Sequence, residues 1–362
     1  MKKNIIFLPF INGNSHTSEG KKWRDELEKR FLGDPEIKDL TLRIDQIRQS
    51  KPADGAPADA FVDYYKRLHQ KKSKRQAKWL KRLIAETAVL LESKLDALPE
   101  DVKNSDDCII VAAFPEFFWY DINDNNKHEI GDTEKNGKYI IGYHKPLYDT
   151  NMIDKLLRVK NNLLAQLTVK YRNLIIFAGT AMWKIINEEN HEDEKVDNTL
   201  IIYHTGDVAN TWSKNFFSPI DGFDSPEKEN KKGTYGVIDR NGRIILNYDH
   251  VPFTAFNGVK FTYDICLDFV KGTGHQPLST SLCNGRKTDV NVLIAAGMPI
   301  NDKDLTNINS PVILRCDGLR APYAEIAPNS AYTAGNPNSI SSGMIIGALE
   351  TVIDVQDAQD QD

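Results

Sequence analysis

The sequence predicts a mixed α/β protein built around at least one large β-sheet. Short apolar runs rich in β-branched residues alternate with longer segments in which leucine and isoleucine recur every three or four residues. The first pattern is typical of buried strands, and the second is typical of helices with one apolar face. Strands and helices alternate early in the chain and strands follow one another later, so the order indicates an α/β or α+β fold.

The strand predictions begin with Ile5–Phe10, a short apolar run that ends before a cluster of polar residues. The other predicted strands are Cys108–Phe114, Leu174–Ala178, Leu200–His204, Ile244–Tyr248, Val259–Ile265, Val290–Ala295 and Val312–Arg315. Helices are predicted within Gln76–Leu98 and Met152–Tyr171, where apolar residues fall on one face.

Composition limits the classes of protein to consider. A chain of 362 residues with 40% hydrophobic content can bury a full core, as one large domain or two average ones. The net charge of -5 gives no overall positive field for nucleic acid, and no apolar run reaches the roughly 20 residues of a membrane span. Cysteines at positions 108, 266, 283 and 316 form no CxxC pair, which favours free thiols and a cytoplasmic location.

Two charged regions look like additions to a compact core. Trp23–Asp59 contains a cluster of Pro, Ala, Gly and Asp, and we expect a surface excursion with a helix near its start. Lys66–Arg82 is strongly basic, which is typical of a nucleic-acid or anionic-membrane patch, but a solvated helix face is favoured because acidic residues balance the charge overall. Residues 23–75 are therefore expected to be an insertion, and the acidic tail 355–362 is expected to be disordered.

The sequence lacks the common motifs of phosphate, dinucleotide and metal binding and of serine hydrolases. The segment Gly13–Lys22 has the wrong glycine spacing for a phosphate loop, and Gly272–Thr273–Gly274 lacks the third glycine of a dinucleotide turn. The histidines form neither an HxH nor an HExxH pair, and no GxSxG elbow is present. We therefore expect no cofactor and no metal site.

Three segments each place a reactive side chain at or just beyond the end of a predicted strand, where α/β enzymes build active sites. Glu116 follows the strand Cys108–Phe114 and precedes three aromatic residues, which exclude water and suit a carboxylate to general acid–base work. Lys214 lies among aromatic and small residues after Leu200–His204, although exposure is the usual state of a lysine. Cys266 ends the strand Val259–Ile265 and is followed by a Gly-containing turn.

In the order Glu, Lys, Cys, these segments resemble the nitrilase superfamily of carbon–nitrogen hydrolases. The resemblance spans roughly Asn4 to Asp354 and includes the Pro-Glu turn, the IIFAGT strand and the segment Asn198–Lys214. It implies a four-layer αββα sandwich in a single domain of residues 1–354, which dimerises through a helical layer. Its partner would be a small amide or nitrile substrate, without nucleic acid or membrane.

The resemblance also implies a role for each site residue. Cys266 would be the nucleophile, Glu116 the general base and acid, and Lys214 with the backbone N–H of Leu267 the donors to an oxyanion. The remaining assignments are Phe117 and Trp119 as substrate contacts, with packing in the core as the alternative for these aromatic residues. Glu227 or Glu229 is the supporting carboxylate, and Lys184 or Lys228 is the alternative to Lys214.

The expected function is hydrolysis of a non-peptide carbon–nitrogen bond through a cysteine thioester, with an amide favoured over a nitrile. Two departures from the family pattern motivate an alternative. Ser213 replaces the arginine that usually precedes the lysine, and the Arg-Phe-Pro that commonly follows the cysteine is absent. The alternative is a catalytically impaired binding or regulatory protein that keeps the fold.

Overall fold

The computed structural model describes most of the chain, with gaps. The described residues are 2–10, 18–116, 118–119, 133–135, 138–140, 148–149, 162–185, 195–214, 216–217, 228–229, 236–238, 244–246, 253–271, 288–301, 310–318, 323–328, 342–345 and 348–355. Every structural statement below concerns these residues.

The helices are concentrated in the first third of the chain. They are α1 (Ser18–Gly33), α2 (Pro35–Gln49), α3 (Ala58–Asp96), α4 (Glu100–Lys103), α5 (Leu163–Lys170) and α6 (Leu267–Lys271). Asp34 caps α2 by accepting from the N–H groups of Glu36 at 2.8 Å and Ile37 at 3.4 Å, and Pro35 begins the helix. Both features are favoured at helix starts. The Asp34 side chain accepts from backbone N–H groups that have no partner within the helix, and proline has no N–H group that would require a partner.

The strands follow the alternation that the sequence predicts. They are β1 (Lys2–Pro9), β2 (Cys108–Ala113), β3 (Thr133–Lys135), β4 (Lys138–Ile140), β5 (Tyr148–Asp149), β6 (Leu174–Ile185), β7 (Lys195–His204), β8 (Asp207–Ser213), β9 (Phe216–Phe217), β10 (Lys228–Glu229), β11 (Gly236–Ile238), β12 (Ile244–Leu246), β13 (Phe253–Phe256), β14 (Val259–Ile265), β15 (Val290–Ala295), β16 (Val312–Asp317), β17 (Ala324–Pro328), β18 (Ser342–Ile345) and β19 (Ala348–Asp354).

Two sheets hold the molecule together. The eight-stranded sheet has the order β18-β19-β1-β2-β6-β7-β8, with β5 paired to β6. Its centre is parallel at β1–β2 and β2–β6, and its flanks are antiparallel. The five-stranded sheet has the order β13-β14-β15-β16-β17, again with parallel pairs in the centre. Such a central parallel arrangement needs cover on both faces, which explains the continuous apolar runs.

The eight-stranded sheet is buried on both faces, and β1 shows how. Ile6 and Leu8 point into a first core that the sheet shares with α1, α2, α3 and α5. Ile5 and Phe7, on the other face, point into a second core between the two sheets. Because side chains alternate along a strand, one apolar run supplies both cores. The mixed α/β class with two stacked sheets and a helical layer is therefore confirmed.

The helical layer differs from the sequence expectation in extent. The segment Trp23–Asp59, expected as a surface excursion, forms α1 and α2, which bury Leu27, Phe31, Ile37, Leu40 and Ile44. Most of the charged residues of the segment lie on the outer sides of these helices, with Arg24 buried as an exception, and they obscure the apolar spacing. The helix predicted at Gln76–Leu98 begins much earlier, at Ala58, so it includes the basic segment.

The other differences concern element ends. The strand expected at Leu174–Ala178 continues to Ile185, through an irregularity in its pairing between Phe177 and Thr180. Of the helix expected at Met152–Tyr171, the described part is Leu163–Lys170. Residues 355–362 lie outside the described residues except Val355, which is buried. Among the described residues, no helix combines the length and apolar character required to cross a bilayer.

Candidate active site

Glu116 lies in a turn that leaves the central strand β2. The N–H of Phe114 donates to Phe177 O at 2.9 Å, so pairing with β6 continues one residue beyond the strand. Pro115 has no N–H and ends this ladder. The N–H of Glu116 then donates to Ala295 O at 3.4 Å, at the end of β15 in the other sheet. The backbone of Glu116 is thus held between the ends of two strands from different sheets.

Aromatic side chains anchor the same turn from the helical side. Phe114, Phe118 and Trp119 have no exposed surface and belong to the first core, where Phe118 and Trp119 pack edge to face. The indole N–H of Trp119 donates to Ala178 O at 2.6 Å. The role of Trp119 as a substrate contact stays a prediction, and Phe117 lies outside the described residues.

A glycine in β6 allows the turn to approach closely. Gly179 has a φ of +68°, and a Cβ placed there would lie 2.5 Å from the carbonyl oxygen of Pro115. It would also lie 3.0 Å from the Cβ atoms of both Phe114 and Phe118. Since a side chain cannot fit at these distances, the position requires glycine. Sequence reasoning missed this residue, although a glycine inside a strand signals a bulge or a close approach.

Lys214 immediately follows β8 and reaches the Glu116 carboxylate. Its N–H donates to Asn198 O at 2.9 Å, which extends the pairing of β7 with β8. Its Nζ donates to Glu116 Oε1 at 2.8 Å, and both side chains have no exposed surface. Ser213, which stands where arginine was expected, places its Oγ 3.1 Å from Thr199 Oγ1 inside the protein. Two of the three predicted catalytic side chains are therefore in contact.

Asn198 is a second donor to the same carboxylate. Its Nδ2 donates to Glu116 Oε1 at 2.8 Å, and the side chain is fully buried in β7. Asn198 thus contacts Lys214 through its backbone and Glu116 through its side chain. The sequence signal was available, because asparagine is depleted in strand interiors and a buried amide requires partners.

Cys266 forms the junction between β14 and α6. Its φ is +50°, in the left-handed region that residues other than glycine rarely adopt. The other two described non-glycine residues with positive φ, Thr205 and Asn257, each precede a glycine in a hairpin turn. Cys266 instead sits at a strand-to-helix turn. Such strain is tolerated at functional sites, where it exposes or aims a side chain.

The backbone N–H groups of Cys266 and Glu116 donate hydrogen bonds to adjacent residues of β15. The N–H of Cys266 donates to Ile294 O at 2.9 Å, and the N–H of Glu116 donates to Ala295 O. Consecutive residues of a strand lie about 3.3 Å apart along its axis. The cysteine backbone and the Glu116–Lys214 pair therefore lie at the same end of the five-stranded sheet.

A buried ion pair stabilises that end of the sheet. Arg315 Nη2 donates to Asp317 Oδ2 at 2.7 Å, and neither side chain is exposed by more than 1%. Asp317 Oδ1 accepts from the N–H of Gly297 at 2.8 Å, and the N–H of Gly318 donates to Ala295 O at 2.9 Å. These bonds hold together the segments that follow β15 and β16, beside the attachment points of Cys266 and Glu116.

The other predicted site residues are placed only by their backbones, or not at all. Leu267 is the first residue of α6, directly after Cys266. Glu229 and Lys228 form the short strand β10, paired with β9, and Lys184 lies near the end of β6. Glu227 lies outside the described residues. The supporting-carboxylate role of Glu227 or Glu229 stays a prediction, and the contact of Lys214 with Glu116 favours Lys214 over its two alternatives.

The remaining described cysteines occupy environments that disfavour a thiolate. Burial raises the pKa of Cys108 to about 12, with a further contribution from the charge of Glu350. Burial also raises the pKa of Cys316, and the neighbouring charge of Asp317 acts in the same direction. All three described cysteines are free thiols, and Cys283 lies outside the described residues. Cys108 and Cys316 are consequently poor candidates for a nucleophile.

The chain is similar to solved structures of nitrilase-superfamily amidases and of a carbon–nitrogen hydrolase. An amidase from Nesterenkonia sp. matches with 10% identity and a TM-score of 0.36, over 76% of this chain and 85% of that one. A carbon–nitrogen hydrolase from Helicobacter pylori G27 matches with 11% identity and a TM-score of 0.39, over 76% and 85%.

A mutant of the Nesterenkonia AN1 amidase, a protein from the nitrilase superfamily, matches with 10% identity and a TM-score of 0.34, over 74% and 84%. No family model matches this sequence, and the curated proteins include no match to it.

Proposed function

We propose that this chain is a carbon–nitrogen hydrolase of the nitrilase type, which cleaves a small amide through a thioester on Cys266. The observation that carries the proposal is the fully buried Glu116–Lys214 pair, attached to the same strand end as a cysteine in a left-handed conformation. Glu116 acts as general base and acid, Lys214 stabilises negative charge, and Cys266 is the nucleophile.

The burial of Glu116 and Lys214 supports a catalytic role over a purely structural one. Removing two charges from water costs several kcal/mol per ion, and their attraction only sometimes offsets that cost. Apolar residues of similar volume at these two positions would often stabilise the fold as well or better. A buried carboxylate and a buried ammonium at the same strand end as a cysteine are, in contrast, the groups that acyl transfer requires.

The reaction begins with proton transfer from Cys266 Sγ to Glu116. The sulfur attacks the amide carbon, and the oxygen that gains negative charge is stabilised by Lys214 Nζ and the backbone N–H of Leu267. Glu116 then gives its proton to the leaving nitrogen as the carbon–nitrogen bond breaks, which leaves an acyl thioester and releases ammonia or an amine. Each oxyanion donor contributes about 3–4 kcal/mol to lowering such a barrier.

Water completes the cycle. Glu116 takes a proton from the water molecule that attacks the thioester carbon, and the carbon–sulfur bond breaks to release the carboxylic acid. The proton returns to Cys266, so both groups regain their initial state. The overall reaction consumes one amide and one water and produces one acid and one amine.

The alternative is a binding or regulatory protein of the same fold that has lost efficient turnover. Its support is the substitution of Ser213 before Lys214 and the altered segment after Cys266. The retained contact between Lys214 and Glu116 argues against it, because a protein without turnover has no need of a buried charge pair.

A screen of small amides with ammonia detection separates these two functions. The proposal predicts that the wild-type protein hydrolyses at least one amide. The Cys266→Ala variant should not hydrolyse that amide. Cys316→Ala is the matched control, because it removes another buried thiol at a strand end in the same sheet. Equal ammonia release by wild type and Cys266→Ala would eliminate the proposed mechanism.

A further inference from the structure

Oxygen Oε1 of Glu116 accepts hydrogen bonds from two side chains, those of Lys214 and Asn198. Lys214 Nζ and Asn198 Nδ2 each donate to it at 2.8 Å. The two donors come from paired strands, and the N–H of Lys214 also donates to Asn198 O at 2.9 Å. The donors therefore move as one unit with the β7–β8 pair.

The second donor has a consequence for the orientation of the carboxylate. Rotation about the last torsion of a glutamate side chain is broad and roughly two-fold, so one lysine alone could be satisfied by either oxygen in turn. The amide of Asn198 is held rigidly in a strand, so its hydrogen bond fixes the orientation of the carboxylate. The flexible side chain of Lys214 does not fix that orientation. Because Asn198 has no exposed surface, water cannot replace its Nδ2 without a rearrangement of the site.

We propose that Asn198 is a positioning residue that keeps Glu116 Oε1 as the acceptor and thereby makes Oε2 the oxygen that exchanges the proton with Cys266. The inference rests on the proposed function. An oxygen that accepts from an ammonium and an amide is a poor location for a proton, because protonation there would displace one of those donors.

The proton path through Glu116 is then defined atom by atom. The proton leaves Cys266 Sγ and bonds to Glu116 Oε2, which produces a thiolate and a neutral carboxylic acid. It later passes from Oε2 to the leaving nitrogen as the carbon–nitrogen bond breaks, and the carboxylate reforms. Oε1 keeps both hydrogen bonds throughout, so the proton exchange involves Oε2 alone.

The matched variants are Asn198→Leu and Asn210→Leu. Asn210 is also a buried amide, on the neighbouring strand β8, but it donates to Phe253 O at 3.1 Å and to the hydroxyl of Tyr263. Both variants lose buried hydrogen bonds, so both should lower stability. Only the loss of Asn198 removes a donor to the ionised form of Glu116, which favours the neutral acid.

The experiment measures kcat and KM from pH 4 to pH 9 with the amide found for the wild type. Asn198→Leu is expected to lower kcat at least tenfold with KM changed less than threefold, and to move the acidic limb of kcat/KM up by about one pH unit. Asn210→Leu should leave that limb in place. An unshifted limb in Asn198→Leu, or an equal shift in Asn210→Leu, would overturn the proposal.

A second readout separates this inference from the proposed function. The rate of alkylation of Cys266 by iodoacetamide is followed against pH in wild type and Asn198→Leu, which requires no turnover. If no amide is hydrolysed by the wild type, the proposed function fails, but a shifted alkylation profile still supports the role of Asn198.

If Asn198→Leu does not fold, Asn198→Asp is the second variant, because it keeps the volume of the side chain and places a carboxylate beside Glu116. Asn198→Asp should move the pH profile of Cys266 alkylation to higher pH than Asn198→Leu is expected to. An unchanged alkylation profile in Asn198→Asp would refute the role of Asn198.

Discussion

Lys214 Nζ and Glu116 Oε1 lie 2.8 Å apart across 98 residues of sequence, and neither side chain has any surface exposed to solvent. One partner follows β8 and the other follows β2, so the pair links the edge of the eight-stranded sheet to its centre. Such a contact depends on the whole sheet being assembled.

The first prediction concerns this pair and the stability of the fold. Lys214→Met should destabilise the protein by about 3–5 kcal/mol, because it leaves the charge of Glu116 buried without its partner. The double variant Glu116→Gln/Lys214→Met should recover much of that loss, since no buried charge remains. Denaturant unfolding of the three proteins measures both effects. A double variant no more stable than Lys214→Met would show that the two side chains are not coupled.

The second prediction concerns the same lysine and catalysis. Lys214→Ala is expected to slow amide turnover at least a hundredfold while the protein remains folded, because one oxyanion donor is lost. Steady-state kinetics with the amide found for the wild type, together with circular dichroism, test this expectation. Near-normal activity in a folded Lys214→Ala protein would remove Lys214 from the mechanism.

The third prediction concerns the close approach at Gly179. Gly179→Ala should move the turn that carries Glu116, because the new Cβ would meet the Pro115 carbonyl at 2.5 Å in a backbone conformation with φ of +68°. Activity should fall at least tenfold, and the melting temperature should drop. Gly33→Ala is the control, since a Cβ there has no neighbour within 4 Å. Equal activity in the two variants would mean that the turn is free to shift.

The fourth prediction concerns pH and stability. Burial lowers the pKa of His204, which stacks on Phe256, while the charge of Asp207 acts in the opposite direction. The folded protein therefore binds fewer protons at this site than the unfolded chain, and stability should decrease as pH falls below about 6.5.

Denaturant unfolding at pH 7.5 and pH 5.5 measures the size of this decrease. His204→Phe should reduce it, because the titrating group is gone and the ring contact is kept. Asp207→Asn should enlarge it, because the opposing charge is removed. An identical decrease in all three proteins would show that His204 does not contribute to the pH dependence.

The fold was largely predictable because its strands are locally unambiguous. The bounds of β14 and β15 agree residue for residue with the apolar runs Val259–Ile265 and Val290–Ala295. The packing of α1 and α2 was missed, although Leu27 and Phe31 show helical spacing, because charged residues dominate that segment. The continuation of β6 beyond Gly179 was missed for another reason: the strand is irregular there and its end is polar.

The reactive residues of the candidate site could be predicted from the sequence. The residues that position them could not. Glu116 and Cys266 each follow a buried strand, and strand ends are where α/β proteins place chemistry. Asn198 could be noted as an asparagine within a predicted strand, but its role could not be predicted, since only the folded sheet brings its amide to the Glu116 carboxylate. The choice of Lys214 came from a family resemblance, because no local pattern distinguishes a buried lysine from an exposed one.

The most direct test of the central claim is the mass of the protein during turnover. Wild type mixed with a hydrolysable amide and quenched in acid within milliseconds to seconds should gain the mass of one acyl group, and peptide mapping should locate it on Cys266. Cys266→Ala should gain nothing under the same conditions. An acyl group on another residue, or turnover without any acyl-protein in wild type over the whole time course, would contradict the thioester mechanism.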